Sequence, residues 1–253
     1  MIMLQVIATT VADARAAERG SANQLELITA MGEGGLTLSI GLIEAVTEAV
    51  GIPVNVIVRP HSRFFVYDAD DYAVMLRDVR AIAKTRANAI VIGMLNADGD
   101  IDTGGLARAI DAADGKPLTF HRAFDEARDL SAAFDTLLRF DAVTNVLTSG
   151  GKPSVLEAEA VIGKLVERSD GARCTVLAGA CLTIDAIAQF VVVTGVRAVH
   201  FGSALRIDGK GLAPVDKARV RRARAAHPRQ VTKTPSRYRF PMPLGVLIPF
   251  ESF

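Results

Sequence analysis

The stretch VNVIVRPHSRFFVYDADDYAVMLRDVRAIAKTRANAIVIGM, residues 54–94, holds two short β-branched runs, Val54–Arg59 and Ala89–Met94, on either side of a segment with helical period. In Asp70–Lys84 the apolar residues Tyr72, Met75, Leu76, Val79, Ile82 and Ala83 recur at spacings of three and four, so they form one stripe opposite a charged face. Strand, helix, strand in that rhythm is the βαβ unit of a parallel sheet. The same alternation runs from Leu4–Ala8 and Gln24–Ile28 through Leu118–His121, Val143–Leu147, Cys174–Ala178 and Ala198–Phe201. These runs show no evident inside/outside polarity, as expected of a sheet covered on both faces. Helix starts agree with the register: Ser39 opens Ile40–Val50, Pro153 precedes Val155–Glu167, and Thr183 precedes Ile184–Val193.

Eight βα units in a chain of 253 residues predict a single-domain (β/α)8 TIM barrel over residues 1–225. An open doubly wound sheet is the alternative, but its dinucleotide-binding turn is absent, because Ala8-Thr9-Thr10-Val11 carries no glycine. Residues 226–253 read as an irregular basic and apolar tail. Charge divides along the chain: residues 1–204 hold 18 basic and 25 acidic side chains, residues 205–253 hold 11 and 3. The basic extension could meet an anion, an acidic surface or RNA, but it lacks interleaved aromatics and any nucleic-acid-binding module, so a solvated terminal segment is expected and nucleic acid is not. Half the residues are hydrophobic, which excludes a disordered or fibrous chain. Two cysteines without a CxxC exclude a disulfide framework and a thiolate-rich zinc site. The N-terminus lacks a basic leader and no apolar run spans a bilayer, so a cytoplasmic protein with no membrane partner is expected. A homo-oligomer is left open.

Barrel chemistry collects at the C-terminal ends of strands. Polar residues there are Glu26, Arg59-Pro60-His61, His121-Arg122 with Asp125 behind, Thr148-Ser149-Gly150-Gly151 and His200. A glutamate in an apolar strand needs a partner, either an arginine (Arg59 or Arg122) or a ligand. Two imidazoles and a carboxylate at one mouth suit a divalent metal as well as they suit an acid/base pair. The loop Thr148–Lys152 presents amides and hydroxyls just before a helix, as an anion site does, or it is a tight turn. Cys174 reads as a small buried hydrophobe, whereas Cys181 falls at the catalytic end. No lysine ends a strand where a Schiff base would form.

Together these segments resemble the CutC family of copper homeostasis proteins, from Leu4 to about Arg206. The resemblance is carried by Leu25-Glu26-Leu27, Gly34-Gly35-Leu36-Thr37, Val58-Arg59-Pro60, Tyr67, Thr119-Phe120-His121-Arg122-Ala123-Phe124-Asp125, Val146-Leu147-Thr148-Ser149-Gly150-Gly151 and Val199-His200. It implies a TIM barrel and cytosolic copper binding and handling, with His121, His200, Glu26 and Cys181 as the metal ligands and copper, or another divalent metal, as the cofactor. It also departs from the family: Ile7 and Ile28 stand where members commonly have cysteine, and the glycine-rich turn after strand seven becomes Ala178-Gly179-Ala180-Cys181. A nitrogen and oxygen set suits Cu(II) or Zn(II) better than Cu(I). The competing expectation is an enzyme on a small phosphorylated or carboxylated metabolite. There Glu26, His121 and Asp125 move protons, and Arg59, Arg122, Thr148, Ser149, Gly150 and Gly151 hold the anion.

Overall fold

A computed structural model describes residues 2–226. The expected tail, apart from Ala226, lies outside the described residues. The strands β1 (Met3–Ala8), β2 (Gln24–Leu27), β3 (Val54–Ile57), β4 (Ala89–Ile92), β5 (Leu118–Phe120), β6 (Val143–Thr148), β7 (Thr175–Ala178) and β8 (Ala198–Phe201) are all parallel. They close into a barrel, β8 returning to β1. The helices α1 (Val11–Arg19), α2 (Ile40–Ala49), α3 (Ala69–Ala83), α4 (Thr103–Ala112), α5 (Leu130–Leu137), α6 (Glu159–Ser169), α7 (Ile187–Thr194) and α8 (Lys217–Ala225) follow their strands in turn. The protein is a single-domain (β/α)8 TIM barrel. No helix among the described residues is long and apolar enough to cross a membrane.

Helix starts follow the side chains. Ser39 caps α2, and Asp68 caps α3 in a reciprocal pair with Asp71. Two starts differ from the sequence expectation. The segment after Pro153 makes a short 3₁₀ turn, Val155–Glu157, and breaks at Ala158, whose φ of −124° and ψ of 19° leave the helical region before α6; Ala158 packs against Gly150, where an added Cβ would lie 2.6 Å away. Thr183 does not cap α7, which begins three residues beyond Ile184.

The strands are also less uniform than expected. Gln5, Glu26, Asn55, Thr119 and His200 are buried polar residues, and each alternates with apolar neighbours such as Leu4 and Val6, Leu25 and Leu27, or Val199 and Phe201. Those neighbours join the core formed with helix residues such as Ala14, Ile43 and Met75. On the other face, Leu147, Leu177 and Ala198 cluster apart with Met3 as an apolar floor. Period two therefore sends polar side chains into the barrel, on the face that carries this small cluster.

A buried ion pair ties the end of the barrel to its beginning. Arg206 Nη1 donates to Asp13 Oδ2 at 3.2 Å and to the Ala213 carbonyl at 2.7 Å. Asp13 also accepts from the Thr9 amide and hydroxyl and from the Val215 amide. The pair holds the loop before α8 against α1, where Val220 covers Gly20. Replacing Arg206 with Met leaves a buried carboxylate without its cation. Urea unfolding is expected to show a loss of about 3–5 kcal/mol, and Asp13→Asn in the same chain is expected to recover part of it.

Candidate active site at the barrel mouth

A cavity of about 960 Å³ opens at the C-terminal ends of the strands and is lined by Glu26, Arg59, His121, Arg122 and His200 among others. Strand register brings these distant residues together. Gln5 on β1 is directly opposite His200 on β8, and Gln5 Oε1 meets His200 Nδ1 at 2.7 Å. With the amide oxygen toward the ring, Nδ1 carries the proton and Nε2 keeps its lone pair. Glu26 Oε2 is 3.7 Å from the same Nδ1 and makes no hydrogen bond among the described residues. Neither arginine pairs with Glu26: Arg122 pairs with Asp125, and Arg59 has no carboxylate partner among the described residues.

Burial without a partner moves the ionisation of these groups. It pushes the Glu26 carboxyl up to about 7. Burial lowers His121 to about 3, helped by the positive charges of Arg59 and Arg122, and lowers His200 to about 3, helped by Arg122. At neutral pH both rings are uncharged and Glu26 is near its midpoint.

Arg59 is buried. Its guanidinium donates to the carbonyls of Glu33 at 3.1 Å, Gly35 at 3.5 Å and Ser62 at 3.2 Å, and lies 4.6 Å over the Phe65 ring. Its Nε has no partner among the described residues. Arg122 is half-exposed, and Asp125 fixes it through Nε at 2.8 Å.

Asp125 itself corrects two expectations. Its carboxylate accepts from the hydroxyl of Thr148, the amide and hydroxyl of Ser149 and the amide of Gly151, while the Gly150 amide turns to Thr148 Oγ1. The loop built like an anion cradle is already filled by an internal anion, so Thr148, Ser149, Gly150 and Gly151 do not face a ligand with free donors. Both oxygens of that carboxylate are taken by these donors and by Arg122, so Asp125 does not present a free oxygen to a ligand's proton.

The expected metal set is not assembled either. Among the described residues no three His, Cys, Asp or Glu side chains gather as ligands. His121 Nδ1 accepts the Ala123 amide N–H at 3.1 Å, so the neutral ring carries its proton on Nε2 and offers a metal no lone pair there. Cys181 is an exposed thiol on the rim. Ile7 and Ile28 line the cavity where a sulfur pair would be needed. The residues present do not fit a copper(I) centre. Cys174 is buried and its thiol is pushed up to about 12, as expected of an inert core residue. Ala180 and Cys181 take φ of +80° and +54°, so the turn after β7 keeps a left-handed path that costs a non-glycine residue about 1 kcal/mol. The remaining histidine of the described residues, His61, bonds Asp71 at 3.2 Å in the β3–α3 loop.

The sequence profile of the CutC family matches residues 2–205. The chain belongs to the CutC family. It is 32% identical to the family protein CutC of Photobacterium profundum over 213 residues, 84% of each chain. It is 33% identical to that of Treponema denticola over 205 residues, 81% of this chain and 82% of the relative. The crystal structure of the copper homeostasis protein CutC from Streptococcus agalactiae superposes with a TM-score of 0.75 at 28% identity, covering 79% of this chain and 98% of that one. Phosphoribosylanthranilate isomerase of Thermotoga maritima, at TM-score 0.58 and 11% identity, shares the fold alone.

Sequence reasoning missed three residues of this CutC site. Gln5 had the signal that exposed Glu26, a polar residue in an apolar strand. Phe65, whose ring lies 5.1 Å from that of His121, and Gly93, at the end of β4, had none, because their roles are contacts across the barrel.

The raised Glu26 sets the sign of a stability test. A folded pKa of about 7 against an ordinary 4.5 means its favourable contribution is fully present below 4.5 and is lost as pH rises through 7. Glu26→Gln cannot ionise, so chemical denaturation is expected to find the variant more stable by less than about 1 kcal/mol at pH 5 and by about 3 kcal/mol at pH 9. Both share the opposite acid limb from the two histidines, whose contribution is present above 6.5 and is lost as pH falls toward 3.

Proposed function

We propose that the barrel mouth binds a small anionic metabolite and that Glu26 transfers a proton to or from it. One observation carries the reading: a buried carboxyl with no ion pair, near its midpoint at neutral pH, faces a cavity edged by Arg59 and Arg122. A group with its pKa near the working pH can both take and give a proton. Arg59 supplies positive charge with no carboxylate partner among the described residues, and Arg122, paired with Asp125, is held in place at the edge of the cavity. His200, neutral and tied to Gln5, keeps the floor beside Glu26 uncharged. The two free cysteines suit a reducing cytoplasm.

Copper handling is the second reading. Its support is the name of the Streptococcus agalactiae relative and the Glu26–His200 pair, a carboxylate and an imidazole whose Nε2 has a lone pair. Such a pair favours Cu(II) over Cu(I) and gives only two donors.

Sulfate, which does not titrate between pH 5 and 9, separates the readings. Calorimetric titration is expected to show sulfate binding several-fold tighter at pH 6 than at pH 8, because Glu26 loses its charge as pH falls through 7. Glu26→Gln is expected to abolish that pH dependence and Arg122→Gln to weaken binding about tenfold. Stoichiometric Cu(II) binding in chelator competition, lost in both Glu26→Gln and His200→Ala, would sink the anion reading in favour of copper.

A further inference from the structure

His121 occupies a position that the chain around it over-determines. Its backbone amide donates to the Ile92 carbonyl at 2.9 Å, which continues the β4–β5 ladder past the last strand residue. The ring then turns back over Gly93. A Cβ at Gly93 would lie 2.5 Å from His121 Nδ1 and 2.7 Å from Cε1, so no other residue there leaves room for the ring. The Phe65 ring lies 5.1 Å from it, tilted by 52°. Nδ1 receives the Ala123 amide, and protonating it would set one N–H against another. The ring is therefore locked in one neutral tautomer with its remaining proton on Nε2. That nitrogen is buried and has no acceptor among the described residues. Glu26 Oε2, on the same cavity, is likewise without a partner. An unpaired buried polar group costs about 1–3 kcal/mol, and a ligand that brings the missing partner removes that cost.

We infer that His121 is a fixed, uncharged hydrogen-bond donor for a carbonyl oxygen of the ligand, with Gly93 as the positioning residue that admits the ring. The inference rests on the proton-transfer reading of Glu26 and names its substrate class: a small anionic compound with a carbonyl next to a C–H bond. In the step that follows, the Glu26 carboxylate takes the proton from that carbon. The C–H pair becomes the new C=C bond, the carbonyl π pair moves onto oxygen, and His121 Nε2–H holds the enolate oxygen. Return of the proton to the same carbon completes an exchange; where that carbon also bears a hydroxyl, passage of the hydroxyl proton to the enolate oxygen and return of the Glu26 proton to the former carbonyl carbon completes an isomerisation, with no oxidant or reductant. A neutral imidazole suits this role because it stabilises the developing oxyanion without first having to surrender a charge of its own. Arg59 and Arg122 receive the anionic end of the same compound.

Nitrogen NMR of histidine-labelled protein tests the lock directly. The His121 ring is expected to show the Nε2–H tautomer without titration from pH 5.5 to 8.5. A ring protonated on Nδ1, or one that charges within that range, overturns the inference. Calorimetry with 2-phosphoglycolate tests the hydrogen bond to the ligand, because its carboxylate copies an enediolate beside a phosphate. Binding is expected to fall at least tenfold in His121→Phe and to be largely kept in His121→Gln, which restores an N–H donor. Gly93→Ala is expected to give mixed tautomers and a similar loss, and an unchanged tautomer and affinity there overturns the assignment of Gly93. Full binding by His121→Phe with loss in Arg122→Gln overturns the inference and leaves the anion site standing, whereas no binding by wild type overturns both.

Discussion

The Glu26 carboxyl sits inside the barrel because Leu25 and Leu27, its neighbours on β2, must both face the helices. Period two leaves the residue between them no other direction, and burying the two leucines is worth several kcal/mol, enough to carry one carboxyl inward. Nothing at the destination neutralises it. Its acidity follows from that placement, as does the lowered basicity of the two imidazoles that share the cavity. An ion pair with either arginine would have reversed the outcome by favouring the charged form of the acid at every physiological pH.

The arginines are kept from doing so by partners of their own. Arg59 is fastened by three backbone carbonyls and the face of Phe65, which orient it without cancelling its charge. Arg122 is paired, but to Asp125, and that carboxylate is itself gathered by the loop after β6. The loop thus serves as a clamp inside the protein, not as a receptor. Its glycines, with φ of +70° and +72°, let the amides of Ser149 and Gly151 point at one carboxylate. The charge of the mouth is the result: two oriented cations, one internal anion, and an acid held near neutrality.

This arrangement bears on what the family name can mean for this chain. Soft-metal chemistry needs sulfur, and the cavity walls at Ile7 and Ile28 are hydrocarbon. The histidine that would be the most natural nitrogen ligand has its coordinating lone pair taken by a backbone amide. A shared fold therefore does not carry a shared ion with it, since the barrel is a scaffold and the donors are chosen residue by residue at strand ends.

Much of the fold was legible in the chain alone. The alternation of β-branched runs with amphipathic stripes specifies the parallel barrel, because each pattern buries its apolar surface in only one way. Polar interruptions at strand ends mark Glu26, Arg59, His121, Arg122 and His200, because a polar residue in an apolar strand needs a reason to be there. Which of them meet, and in what ionisation state, was decided only by the tertiary structure. The opposition of Gln5 and His200, the closeness of Gly93 to His121, and the capture of Asp125 by Ser149 and Gly151 join residues far apart in the chain. Hydrogen bonding and desolvation act over a few ångströms of space, and composition and period contain no such distances.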